Sequence, residues 1–135
     1  MEIKEKAKYI PLKDLDVYVV ARELSRLAWV LYEKMSWQQK KIIGDQYIES
    51  TDSVGANIAE GYSRYHYLDK VKFYYIARGS LSEAMHWIEL LSERKLVPKA
   101  SLEEFIICAR KTSIKLQNFI SVQYESKARP KSKFP

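Results

Sequence analysis

The sequence predicts an all-α protein, an antiparallel four-helix bundle. Three observations carry that expectation. Apolar residues recur at three- and four-residue steps in four successive segments. No stretch alternates apolar and polar residues in the way a half-buried strand does. The chain has only 4 Gly and 4 Pro, too few for the turns of a sandwich or barrel. Its 135 residues make one domain, 47% hydrophobic and 30% charged, large enough to bury a core without a staple. Residues 1–11 read as an N-terminal extension, 12–125 as the bundle and 126–135 as a basic disordered tail.

The first segment runs from about Leu15 to Met35. Val17, Val20, Ala21, Leu24, Leu27, Ala28, Leu31 and Met35 line one face, and Asp14 or Asp16 is the expected cap. Val19, Trp29, Val30 and Tyr32 fall off that face and suggest a second, intermolecular surface. The second segment spans about Gln39 to Tyr62, with Ile43, Tyr47, Thr51, Val54, Ile58 and Tyr62 along one side. Gly55, Ala56 and Ala59 let a neighbour approach, and Gly61 is placed to end the helix in a left-handed conformation.

The third segment, Leu68 to Lys95, is the longest and most apolar. Val71, Tyr74, Tyr75, Leu81, Met85, Ile88 and Leu91 form its main stripe, which Phe73, Ile76, Ala77, Ala84 and Trp87 widen. Gly79 inside it costs about 1 kcal/mol against alanine, so close packing is expected there. Leu96-Val97-Pro98 breaks the pattern. Ser101 and Glu104 then have capping-box spacing, and Leu102, Phe105, Ile106, Cys108, Ala109, Leu116, Phe119 and Ile120 give the fourth face.

Charge is unevenly spread. The net charge is +6, from 23 basic and 17 acidic residues, and the excess sits after Arg94. Arg110, Lys111 and Lys115 on the last helix, with Lys127, Arg129, Lys131 and Lys133 in the tail, are the candidate nucleic-acid contacts. Cations on phosphates release counterions, so such asymmetry suits a polyanion. A second candidate is the tyrosine cluster Tyr62, Tyr65, Tyr67, Tyr74 and Tyr75 around Arg64, His66, Lys70 and Lys72. Aromatics interleaved with cations can stack and neutralise a single strand, although tyrosine also suits half-buried positions between helices.

Catalytic chemistry finds little footing. Cys108 lies on an apolar face, where a cysteine acts as a small hydrophobe rather than a nucleophile. Glu83 and His86 have the Glu-x-x-His spacing of di-iron bundles, but the only other histidine, His66, follows Ser63 by three residues instead of an acid. No metal and no cofactor are expected. Neither a phosphate-cradling glycine loop nor a Ser/His/Asp arrangement is visible, so an enzyme is not expected. The single cysteine and the lack of a signal peptide or a membrane-spanning run point to a cytoplasmic protein without membrane contact.

Two motifs carry a family resemblance. Ser53-Val54-Gly55-Ala56-Asn57-Ile58-Ala59-Glu60-Gly61 is followed by Phe73-Tyr74-Tyr75-Ile76-Ala77-Arg78-Gly79-Ser80-Leu81-Ser82-Glu83. Together they resemble the bacterial four-helix-bundle family of 23S rRNA intervening-sequence proteins, whose relatives include accessory proteins of diversity-generating retroelements. Asp14-Leu15-Asp16-Val17-Tyr18 resembles the family's opening, and the likeness runs from about Leu12 to Val97. It implies a left-handed bundle that assembles into a homopentameric ring without known catalytic activity. For the retroelement relatives it implies a basic barrel that binds a reverse transcriptase and nucleic acid. The motif residues carry over as Asn57, Glu60, Gly61, Gly79, Ser80 and Glu83, polar or small groups suited to a tight helix–helix contact. The family often carries basic residues and alanines where this chain reads Ile48-Glu49-Ser50-Thr51-Asp52, and a proline where it has Gly55. Glu49 and Asp52 repel phosphate on that surface.

The leading functional reading is therefore a non-enzymatic oligomeric binding module. It would engage RNA, DNA or a nucleic-acid enzyme such as a reverse transcriptase through the basic end, and meet copies of itself, as a pentamer on the family's pattern, through Trp29, Val30, Phe73 and Trp87. The alternative is a structural or protein-partner scaffold with no nucleic-acid role.

Overall fold

The computed structural model describes residues 9–128, with side chains through 125. A 3-10 turn, Leu12–Asp14, leads into α1 (Asp16–Glu33). Neither aspartate caps it. Leu15 holds the cap position, its carbonyl accepting from the N–H groups of Tyr18 and Val19, while Asp16 sits in the first turn where the helix dipole favours an anion. Val17, Val20, Ala21, Leu24, Ala28 and Leu31 are buried, the face that the periodicity marked.

The next helix starts earlier than its apolar pattern suggests. The Ser36 hydroxyl accepts from the Gln39 N–H at 3.1 Å, and the Gln39 side chain accepts from the Ser36 N–H at 2.9 Å, a complete capping box. Behind it α2 (Trp37–Gln39), a π-helical segment (Lys40–Gly44) and α3 (Asp45–Ser63) run on without a break. The wide turn coincides with a tight crossing. A Cβ on the buried Gly44 would come within 2.8 Å of the Met35 sulfur and 3.3 Å of the Tyr32 ring.

Gly61 does not take the left-handed conformation expected of it, since no described glycine has a positive φ. It stays helical because α4 (Tyr67–Glu93) crosses there. A Cβ would sit 2.7 Å from the Tyr74 ring and 3.0 Å from the Lys70 carbonyl oxygen. The left-handed residue is instead Lys95, at φ 54. Leu96 N–H donates to the Leu91 carbonyl and Lys95 N–H to that of Ser92, the bond pair of a Schellman ending, and Leu96 packs on the core. Helix α5 (Lys99–Ala128) opens two residues ahead of Ser101, with Leu102 N–H donating to the Pro98 carbonyl at 3.0 Å. Ser101 therefore lies inside the helix instead of opening a capping box. The tail was expected from Ser126; the helix is described to Ala128, and residues 129–135 lie outside the described residues.

Helix α1 packs on α3 and α5, and α4 packs on the same two, closing a four-helix bundle with no strand among the described residues. Three residues join α3 to α4 and five join α4 to α5, which holds successive helices antiparallel. The core holds Leu24, Tyr47, Ile58, Tyr74, Ile88, Phe105 and Leu116, with Tyr47 edge-on to Phe105 at 5.2 Å. The buried Thr51 and Thr112 hydroxyls each donate to the carbonyl four residues back, so neither is left unpaired. No described helix is long and apolar enough to cross a membrane.

Candidate functional site

The candidate surface is the seam between α1 and α5. An open groove of about 980 Å³ lies along it, floored by Val19, Val20, Leu27, Ile107 and Cys108. Arg22, Arg26, Lys111 and Lys115 rim it, together with Asp16, Glu23 and Glu104. Arg26 is paired with Glu23 across one helical turn, and that hydrogen bond holds the Glu23 carboxyl below its ordinary pKa. Further along the seam, a smaller hollow shares Asp16 and Lys115 with the groove and reaches Val122.

The outer face of α5 explains the groove's character. Ile107, Lys111, Ile114, Asn118 and Val122 are exposed and follow one another at three- and four-residue steps, so they form a single stripe. Ile107 and Ile114 keep 66% and 63% of their surface in solvent, far more than an amphipathic helix leaves to branched aliphatics. Ile107 and Ile114 lie outside the core-facing stripe of α5, so the periodicity of the core face does not single them out. A second apolar stripe, offset from the first, was the available signal.

The residues singled out in advance divide. Arg110 and Lys111 are exposed on α5 and Lys115 is half-buried beside the seam. The Lys127 side chain, Arg129, Lys131 and Lys133 lie outside the described residues. Trp29, at 51% exposure, and Val30 do face solvent, with Trp29 stacked on Tyr32 at 5.3 Å. Phe73 and Trp87 do not join them. Phe73 is half-buried against Gly61 under the Arg64 guanidinium, and Trp87 packs on the core. Since α1 and α4 stand diagonally in the bundle, the four residues form no common patch.

The family-motif residues behave unequally. Asn57 Nδ2 donates to the Ser53 carbonyl at 2.8 Å and reaches its hydroxyl at 2.9 Å, and that hydroxyl meets the Ser80 hydroxyl at 2.8 Å across α3 and α4. Ser53 is thus the link that joins the two motifs. Glu60 instead pairs with Arg64 on its own helix end, and Glu83 is exposed. The close packing expected at Gly79 is absent within the chain, where a Cβ would meet nothing within 4 Å.

Burial pushes the Cys108 thiol up, away from the thiolate a nucleophile needs, and its sulfur lies 3.8 Å from the Val20 carbonyl. Among the described residues no three His, Cys, Asp or Glu side chains gather as a metal site would need. His86 lies edge-on to the Trp87 ring at 4.8 Å. What the seam offers is a surface, apolar in the middle and charged at the rim.

The fold is that of a four-helix bundle with an open groove along its α1–α5 seam. The chain belongs to the 23S rRNA-intervening sequence protein family, whose pattern matches residues 13–118. That description names no reaction. Among solved structures, the chain is similar to a protein of unknown function from the S23 ribosomal protein family of Bacteroides thetaiotaomicron. The two share 23% identity over 77% of this chain and 97% of the other, with a TM-score of 0.72, a likeness of fold. No curated protein matches the chain.

Proposed function

We propose that the chain is a non-catalytic module that assembles with copies of itself into a ring and engages nucleic acid through its basic surface. RNA, or a nucleic-acid enzyme such as a reverse transcriptase working on it, is the partner class. The observation that carries this reading is the outer face of α5, where exposed Ile107 and Ile114 alternate with Arg110 and Lys111. Branched aliphatics at such exposure favour coverage by a protein surface. The neighbouring cations favour phosphate. Cyclic symmetry lets the α5 face of one copy meet a different face of the next, with exposed Trp29 and Val30 as a candidate counterpart. The number five rests on the family resemblance alone.

A protein-only scaffold is the second reading, and one observation favours it: the groove rim nearly balances its cations with Asp16, Glu23 and Glu104. Light scattering and an RNA salt titration separate the outcomes. The proposal expects a solution mass several times the 15.9 kDa of one chain, reduced by Ile107→Glu and Ile114→Glu, and RNA affinity that falls steeply with salt. A mass near 15.9 kDa at micromolar concentration overturns the ring, and absence of RNA affinity at low salt leaves the scaffold.

A further inference from the structure

The link from α1 to α3 and the link from α4 to α5 lie far apart in the sequence, and the fold sets them at the same end of the bundle. Tyr47, early in α3, meets Phe105, early in α5, so both helices begin there. The helices antiparallel to them, α1 and α4, end there. Because α1 and α4 stand diagonally, the two links cross opposite edges of that end, about 8–10 Å apart. Residues 33–41 and 93–99 carry Lys34, Lys40, Lys41, Arg94, Lys95 and Lys99 against Glu33 and Glu93. Six cations less two carboxylates leave +4 in these links, out of +6 for the whole chain.

We propose that this end binds single-stranded nucleic acid, with phosphates held by the cations of both links and a base stacked on Trp37. The proposal takes its class of ligand from the nucleic-acid reading above and adds a contact away from the α5 face. Trp37, the first residue of α2, keeps 72% of its surface in solvent. The Lys41 ammonium lies 4.5 Å from the centre of its ring. Beside it the Lys40 ammonium lies 4.8 Å from the centre of the Tyr32 ring, on which Trp29 stacks. Rings and cations thus alternate along this link, the combination by which proteins hold a single strand without reading its sequence.

The cations are available. The ion pairs of the described residues are Arg26–Glu23 and Arg64–Glu60, and none of the six belongs to them. Five are exposed, and Lys40 is half-buried over Tyr32. Helix dipoles account for only some of them. Lys34 and Arg94 cap the C-terminal ends of α1 and α4 and Lys95 follows, where a cation is favoured. Lys99 instead opens α5, where the dipole disfavours a cation. Of the carboxylates a turn further in, Asp45 accepts from the Tyr32 hydroxyl at 2.6 Å, Glu104 lines the α1–α5 groove and Glu103 is exposed. A single strand fits this chemistry better than a duplex, because unpaired bases present their faces to an indole and a duplex keeps them stacked inside. It also fits better than a bilayer, which calls for a continuous apolar face where this end offers Trp37 and Ile42.

The test is fluorescence anisotropy of the full chain with labelled oligo(dT) and with a duplex of equal length. The site predicts tighter binding of the single strand. Trp37→Ala should weaken that binding about five- to tenfold and leave duplex affinity unchanged, while Trp37→Phe, which keeps a ring, should lose less. The capping box of Ser36 and Gln39 makes no use of the Trp37 side chain, so the fold should stand; an unchanged thermal melt checks this. On the opposite edge, Arg94→Gln with Lys99→Gln should lower the slope of log affinity against log salt by about 1.4. If oligo(dT) binds but both of these variants match the parent while Lys111→Gln with Lys115→Gln weakens binding, this site is wrong and the α5 face carries the function. An equal loss of duplex affinity in Trp37→Ala would rule out base stacking and overturn the site as well. Flotation with phosphatidylserine vesicles that depends on Trp37, without oligo(dT) binding, would make this end a lipid contact and the proposal wrong. If the parent binds neither oligo(dT) nor the duplex at low salt, this site and the nucleic-acid reading fall together.

Discussion

At Gly61 the backbone of α3 touches α4 so closely that a methyl group has no room, with the Tyr74 ring at 2.7 Å and the Lys70 carbonyl oxygen at 3.0 Å from a built Cβ. A ring can swing; a carbonyl inside a helix moves only with its helix. Gly61→Ala should therefore destabilise the fold by about 1–3 kcal/mol, the usual range for overpacking. Gly79 presents the opposite case. It is exposed, mid-helix and free of neighbours within 4 Å, so Gly79→Ala should stabilise the fold by about 0.5–1 kcal/mol through backbone entropy. Urea denaturation of the pair checks both signs. A loss of stability in Gly79→Ala would show that a neighbour occupies that space in solution. Helical periodicity marks both glycines as anomalies in an apolar run, but it does not tell which one faces a crossing helix.

Among the elements, caps were the least legible. The capping spacing of Ser101 and Glu104 is as good on paper as that of Ser36 and Gln39, yet only the latter closes a helix. Pro98 decides the difference, because α5 begins at Lys99 and carries Ser101 into its first turn. Ser36→Ala should cost about 1 kcal/mol, read as a lower denaturation midpoint. The end of α4 hides its signal differently. A Schellman ending prefers glycine at the left-handed position, and this chain has Lys95 there at φ 54. Lys95→Gly should raise stability by about 1 kcal/mol, since an L-residue with a Cβ strains in that region. A midpoint unchanged or lowered would contradict the strain argument.

For the molecule as a whole, buried tyrosines set a limit on the alkaline side. Burial pushes the Tyr74 hydroxyl up to about 12, and that of Tyr47, buried without a hydrogen-bond partner, is raised as well. In the unfolded chain both ionise near 10. The unfolded state loses these protons first, so stability is fully present below about pH 10 and declines as pH rises toward 12. Melting temperatures should hold steady to about pH 9 and then fall steeply. A melting temperature that held to pH 12 would mean that neither hydroxyl is buried in solution.

The sequence by itself determined the class of fold and the faces that meet in it. Val17, Val20, Leu24 and Leu31 on α1 and Leu102, Phe105, Leu116 and Ile120 on α5 are buried as their spacing requires, because helical periodicity is a local property that burial only has to accept. Its two glycine-bearing motifs likewise sufficed to place the chain in its family. Tertiary structure alone decided the rest. It showed that Ser53 links the two motifs, that Phe73 and Trp87 are half-covered, that α5 turns Ile107 and Ile114 to solvent, and that Tyr124 of α5 meets Tyr75 of α4. Each of these depends on residues distant in sequence sharing one place. Spacing along a single helix fixes which side a residue takes, but only the packing of four helices fixes what stands opposite.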